Sequence, residues 1–346
     1  MLPNRTGDGT LRGMTLPRIA IAALGGTICM TPSAEGGVMP KLDAADLVAA
    51  VPELEQIGSL HAETLFNLPS SALDFGILRH VLDWAGHQVE QGAEGVVITQ
   101  GTDSLEESAF FLDLYWQHPQ PLVLTGAMRN PGMAGADGPA NLLAAAIAAA
   151  SPSAWGRGVL AVLNDTAHAA RRVRKSHTLA PDAFRSPNGG PLGTLVEGRW
   201  HWFSSAERRA EPLAPAFITP HVALLETCLG DTGELLDGVL AAKFDGLVLS
   251  GFGTGHVSPA FAERLGPVCR RMPVVMASRT GAGHTTQATY GALGSEIDLR
   301  KRGVWMAADL DARKARLLLW GLLAAGTPPE RLGEAWAAWL QGAPSQ

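Results

Sequence analysis

A chain of 346 residues ordinarily holds two domains, and with 46% hydrophobic and 17% charged residues it has apolar surface for a core in each, with 40 Gly and 23 Pro for tight turns. A net charge of -6 without a long basic run excludes a nucleic-acid surface. The longest purely apolar run, Leu142 to Ala150, is about half a bilayer span, so no membrane partner is expected either. Cys29, Cys228 and Cys269 are odd in number and lack a CxxC spacing, which reads as reduced thiols in cytoplasm. The start of the chain shows no apolar leader, and order is expected everywhere beyond the first dozen residues.

Ile19 to Leu24 is a continuous apolar run stopped by Gly25-Gly26, the pattern of a strand buried on both faces and ending in a permissive turn that carries Thr27. Asp43 then opens a helix with Leu47, Val48, Val51 and Leu54 on one face. After a strand near Thr64 to Asn67, Ser70 or Ser71 can cap a helix bearing Leu73, Ile77, Leu78, Val81 and Leu82. That helix start could serve only as a cap, or could offer its free N–H groups to a carboxylate. Gly95 to Thr99 is the next strand. It runs into Gln100-Gly101-Thr102-Asp103, and Asp103-Ser104-Leu105-Glu106 has the form of a capping box.

Strands at Pro121 to Thr125 and Val159 to Leu163 flank a helix that opens at Ala136-Asp137-Gly138-Pro139. Gly189 to Pro220 has no sustained period and reads as a hairpin-like excursion and linker. Strands at Val222 to Leu225, Gly246 to Ser250 and Pro273 to Ala277 follow, with helices at Glu234 to Ala242 and Pro259 to Arg271. Helices at Asp311 to Ala325 and Pro328 to Leu340 close the chain. The expected fold is α/β in two domains, each a mainly parallel sheet flanked by helices, spanning 1–205 and 221–346 with a linker at 206–220. Ligands of such sheets sit beyond the carboxyl ends of the strands, where both Thr turns lie.

Scattered histidines without HExxH or clustered Cys/His spacing set metal chemistry aside, and no Walker lysine follows Gly25-Gly26-Thr27. A hydroxyl nucleophile on a rigid turn remains, although a lone Thr after two glycines is more often just a turn residue. Two ordered blocks sharpen the choice. Leu24-Gly25-Gly26-Thr27-Ile28 resembles the TGGTI signature of bacterial-type L-asparaginases, and Gln100-Gly101-Thr102-Asp103-Ser104-Leu105-Glu106-Glu107-Ser108 resembles their HGTDTMEET block. The likeness continues through Gly126-Ala127-Met128-Arg129, Ala136-Asp137-Gly138-Pro139-Ala140-Asn141-Leu142, Leu163-Asn164-Asp165-Thr166 and Ser278-Arg279-Thr280.

The resemblance implies cofactor-free hydrolysis of the side-chain amide of L-asparagine. It casts Thr27 as the nucleophile of an acyl-enzyme, and Thr102, Lys175 and Asp103 as a second catalytic group. Gly26 and Gly101 would line the substrate site, the Thr102 N–H would help form the oxyanion hole, and the Ala127 carbonyl would meet the leaving amide. Asp103 would hold the α-ammonium and Ser70 or Ser71 the α-carboxylate. It further implies a homodimer or homotetramer in which the second domain completes a neighbour's pocket. From local sequence alone, Lys175 reads equally as a solvated lysine of the basic stretch Arg171 to Lys175.

The chain departs from the pattern in four places. Thr31 to Met39 carries no Tyr where the exported enzymes have one, and Ser70-Ser71 replaces their Ser-Gln. Thr285-Thr286-Gln287 leads to Tyr290 rather than to a Glu, and Thr254 stands for an Asn. Tyr290 either closes the site or packs as an ordinary aromatic. These changes disfavour strong glutaminase activity. Two competing readings are a tRNA-dependent amidotransferase component, which carries a domain ahead of the GGT motif where here 24 residues precede Gly25, and a non-catalytic amino-acid sensor.

Overall fold

The computed structural model describes residues 16–32, 38–40, 42–206, 210–215 and 218–342. The first dozen residues, residues 33–37 and parts of the expected linker lie outside the described residues. The chain divides into two compact units, 1–207 and 208–346.

In the first unit the apolar runs form the strands β1 (Arg18–Ala23), β5 (Gly95–Thr99), β6 (Leu122–Thr125) and β7 (Val159–Leu163), buried throughout save the partly exposed Arg18 at the start of β1. Two short strands, β2 (Met30–Pro32) and β3 (Val38–Pro40), pair with each other. The edge strand β4 (Ser59–Thr64) comes earlier than the expected Thr64 to Asn67 and is largely exposed. Beyond it the chain leaves the ladder: Leu65 and Phe66 both donate to the Ala23 carbonyl and Leu68 donates to Leu24. Helices α1 (Ala44–Ala49), α2 (Phe75–Glu90), α3 (Leu105–Tyr115) and α4 (Gly138–Ala149) cross over between the strands. Helix α1 has the Asp43 cap but stops early, because Pro52 starts a separate 3₁₀ turn that carries Leu54.

The sheet order is β12 (Arg199–Trp202), β11 (Gly193–Val196), β8 (Thr166–Ala169), β7, β6, β5, β1, β4. Pairings from β4 through β7 are parallel. An antiparallel extension of β8, β11 and β12 absorbs part of the aperiodic stretch. Between them, β9 (Arg174–Lys175) and β10 (Phe184–Arg185) make a separate small ribbon. A cluster centred on Ile21, Val97, Val123, Leu160 and the alanines of α4 fills one face. The burial of these continuous runs supplies the main stabilisation, at about 25 cal/mol per Å² of apolar surface removed from water.

In the second unit β13 (Val222–Glu226), β14 (Gly246–Gly251), β15 (Val274–Ser278) and β16 (Trp305–Met306) form a parallel sheet in that order. Helices α5 (Leu235–Ala241), α6 (Pro259–Arg271), α7 (Glu296–Lys301), α8 (Ala312–Ala324) and α9 (Leu332–Gln341) belong to the same unit. Its buried cluster joins Leu247, Leu249, Phe261, Leu265 and Met276. Among the described residues no helix is long and apolar enough to cross a membrane, and no His/Cys/Asp/Glu group is spaced to hold a metal.

Cys29, Cys228 and Cys269 are free thiols. Burial, reinforced by the Asp43 and Asp46 carboxylates, pushes the Cys29 thiol up to about 11, so it is a packing residue rather than a nucleophile.

Candidate active site

Strand β1 lies between β4 and β5, so the chain leaves β1 to one side and returns to the other. That makes the β1/β5 boundary the switch point of the sheet, where a crevice opens beyond the strand ends. The register is tight there: Ala23 pairs with Thr99, Leu24 donates to the Thr99 carbonyl at 2.8 Å, and Gln100 donates to Thr125 at 3.0 Å. The turns after β1, β5 and β6 therefore emerge side by side.

Glycine is required where they meet. Gly25 and Gly26 have φ of 101° and 86°, and a methyl group on Gly26 would lie 2.1 Å from the Gly101 nitrogen. One on Gly101 would reach the Ser70 Oγ at 2.7 Å, and one on Gly126 the Gln100 carbonyl at 2.5 Å. The Gly26→Ala protein is expected to lose about 3 kcal/mol or more, from backbone strain and overpacking together. Urea unfolding measures this, and a midpoint equal to wild type would contradict the described contact of the two turns.

Thr27 and Thr102 each follow a glycine of this contact. Thr27 is half-buried in a short 3₁₀ turn whose N-cap is Gly26. Thr102 is buried, and its Oγ1 accepts a hydrogen bond from Lys175 Nζ at 2.9 Å. The same Nζ donates to Asp103 Oδ1 at 2.7 Å. The lysine side chain is 15% exposed and Asp103 is 74% exposed, so the ammonium is mostly withdrawn from water while the carboxylate keeps an open side. The pair is worth little as a surface ion pair and more as a fixed orientation.

The serines behave differently from one another. Ser71 is exposed, whereas Ser70 is buried and its Oγ accepts the Asp103 N–H at 3.1 Å. Ser104 Oγ donates to the Ser70 carbonyl at 2.8 Å. Neither serine caps α2; they form a 3₁₀ turn, and Asp74 caps the helix by accepting from the Ile77 N–H. The expected helix start for a carboxylate at Ser70-Ser71 is thus corrected, since the helix begins at Phe75 with its own cap.

The capping box at Asp103 to Glu106 is likewise absent. Its acidic ends turn elsewhere, Asp103 to Lys175 Nζ and Glu106 Oε2 to the Lys175 N–H at 2.5 Å.

Ala127 is buried in the turn after β6, which two residues of the α4 entrance hold in place. Asp137 accepts from Met128 N and Arg129 N at 3.0 and 2.8 Å rather than capping its helix. Asn141 donates to the Gly126 carbonyl at 2.9 Å, and its Oδ1 accepts from Asn164 N at 2.8 Å. Sequence reasoning missed both roles; an Asn one turn after a helix-starting Asp was the available signal.

Tyr290 belongs to the second unit, where it is 48% exposed with its ring edge-to-face on His256 at 5.1 Å. His256 Nε2 lies 3.1 Å from both Glu296 Oε2 and Thr254 Oγ1. Burial alone would raise the Glu296 carboxyl. The Tyr290 and Thr289 N–H groups and His256 outweigh it and hold the group below its ordinary 4.5.

A depressed carboxyl contributes stability above its unfolded value, and that contribution is lost as pH falls through the lower folded one. Glu296→Gln is therefore expected to be less stable at neutral pH and to lose less stability on acidification below about 4.5. Urea midpoints across that range test this, and parallel pH profiles for the two proteins would refute it.

Residues 18–208 match the family model described as Asparaginase, N-terminal, and residues 221–335 that described as Glutaminase/Asparaginase C-terminal domain. A Probable L-asparaginase of Deinococcus radiodurans is 38% identical over 324 residues, covering 91% of this chain and 96% of that protein. L-asparaginase 2 of Escherichia coli is 31% identical over 328 residues, 92% of each chain. A Glutamyl-tRNA(Gln) amidotransferase component of Methanosarcina barkeri is 30% identical over 292 residues, which is 80% of this chain and 68% of that protein. Among solved structures, that of a Probable Cytoplasmic L-asparaginase from Campylobacter jejuni aligns with a TM-score of 0.84 and 31% identity, covering 93% of this chain and 99% of that one. Matched along both units by family models and by relatives of nearly its own extent, the chain belongs to the asparaginase family.

Proposed function

We propose that the protein hydrolyses the side-chain amide of L-asparagine to aspartate and ammonia through an ester on Thr27. The single observation that carries this reading is the Lys175–Thr102–Asp103 cluster, with bonds of 2.9 and 2.7 Å, set one residue beyond the Gly26–Gly101 contact that also carries Thr27. In the first step Thr27 Oγ1 adds to the amide carbon, its proton passes to the departing nitrogen, and the C–N bond breaks to release ammonia. In the second, water adds to the ester carbon and returns the hydroxyl to Thr27.

A Thr hydroxyl is a weak nucleophile without a proton acceptor nearby. Most of the Thr31 to Met39 segment, where the family's tyrosine is missing from the sequence, lies outside the described residues. Thr102 with Lys175 is the proton-handling group that the described residues supply. Backbone N–H groups of the rigid turns at Gly26–Thr27 and Gly101–Thr102 suit the oxyanion, because preorganised donors need no reorganisation as charge develops.

The open side of Asp103 suits the α-ammonium and the Ser70–Ala72 turn, with Ser70 and Ser71, the α-carboxylate. The Ala127 carbonyl, braced by Asn141 and Asp137, suits the amide nitrogen. A cytoplasmic homodimer or homotetramer, with Tyr290 of the second unit beside a neighbour's pocket, completes the reading.

The chain is 38% identical to the Deinococcus relative and 30% identical to the amidotransferase component, which favours the hydrolase. Coupled assay of ammonia released from L-asparagine, L-glutamine and simple amides tests it. Release from asparagine, faster than from glutamine, is expected. Binding of asparagine without release from any amide would mean a sensor instead.

A further inference from the structure

Lys175 is held at both ends by one short stretch, Thr102 to Glu106. Its Nζ meets Thr102 and Asp103, and its backbone N–H meets the Glu106 carboxylate. The main sheet does not fix this residue. It sits on β9, which pairs only with β10, and a ribbon that short is not stable by itself. Within the ribbon Ser176 N donates to Ala183, whereas the Lys175 N–H faces α3.

Glu106 is 2% exposed and stands in the first turn of α3, where the helix dipole favours a carboxylate. A charge-assisted bond from such a group is short and directional.

We propose that Glu106 is a positioning residue, which sets the Lys175 backbone so that Nζ falls between Thr102 Oγ1 and Asp103 Oδ1. The proposal rests on the amidohydrolase reading for the role of Lys175. It explains why the helix entrance has a capping-box sequence without a capping box. Asp103 and Glu106 are turned outward onto the two ends of the lysine, so the turn and the helix start act as a single clamp.

Two conservative variants separate reach from charge. Glu106→Asp keeps the charge but draws the oxygen back by one methylene; Glu106→Gln keeps the reach and gives up the charge. Misplacement of about 1 Å in a catalytic group can cost about a hundredfold, so Glu106→Asp is expected to lose about thirtyfold in kcat with KM changed less than about threefold. Glu106→Gln is expected to lose about threefold. In a Lys175→Met background the Glu106→Asp change should add less than about twofold, because its effect passes through the lysine.

The reverse order of the two variants, or the same thirtyfold loss without the lysine, overturns the proposal. So does a Glu106→Gln loss beyond about tenfold, a reading that stands even if Glu106→Asp does not fold. A crystal structure of Glu106→Asp gives an answer independent of turnover: Lys175 Nζ is expected beyond hydrogen-bond distance of Thr102 Oγ1, and its retention there overturns the clamp. A wild-type protein that releases no ammonia would instead defeat the amidohydrolase reading, leaving the clamp to be decided by that structure.

Discussion

Thr27→Ala is expected to reduce ammonia release from asparagine by about 10⁴-fold or more, with folding intact, because the proposed mechanism forms its covalent bond through this hydroxyl. The truncation removes the hydroxyl and the γ-methyl of a half-buried residue but no side-chain hydrogen bond seen among the described residues, so little stability should go with it. Thr27→Ser keeps the hydroxyl, frees its rotamer, and should retain part of the activity. Steady-state assay beside thermal unfolding measures both. A Thr27→Ala protein with a wild-type rate would remove Thr27 from the mechanism and leave Thr102 as the only threonine of the cluster able to act.

The second large effect is at Lys175. Lys175→Met preserves much of the volume and removes the amine that bonds Thr102 and Asp103. Positioned proton transfer contributes about 10²- to 10⁴-fold, and a loss of about 10³-fold in kcat is expected with a smaller change in KM. Thr102→Val should fall in the same range, and the double variant should be little worse than either, since groups that act as a unit are not additive. Multiplicative losses in the double variant would mean that the lysine and threonine serve separate steps. Lys175→Arg should not rescue, because a guanidinium keeps its proton and has a different fork of donors.

The two Thr turns were legible because glycine stops apolar runs in a way only a few structures allow. That they serve one site was legible too, from their places at strand ends and from the family resemblance; the strand order that sets β5 beside β1 rather than beside β4 was not, being a long-range choice that no local pattern encodes. The helices of the second unit follow their amphipathic period closely, as at Pro259 to Arg271. Antiparallel β11 and β12 were obscured by Gly, Trp and charged residues, because strands at the end of a sheet need not be apolar on both faces.

Lys175 shows the limit most clearly. In sequence it is one more cation after Arg171, Arg172 and Arg174; in the structure a tertiary bond from Glu106 and a turn far away in the chain choose it. Ser70-Ser71 and Asp103 to Glu106 failed as caps for a related reason. Capping is a local preference of about 1 kcal/mol; Lys175 draws off the Asp103 and Glu106 oxygens through charge-assisted bonds, and Asp74 takes the start of α2.

The central claim is that the acyl group resides on Thr27. Mass spectrometry of the protein, acid-quenched during turnover of L-asparagine and digested, should find a peptide containing Thr27 heavier by one β-aspartyl group, and none in Thr27→Ala. The adduct on Thr102, or steady turnover by Thr27→Ala with no adduct at all, would contradict the account.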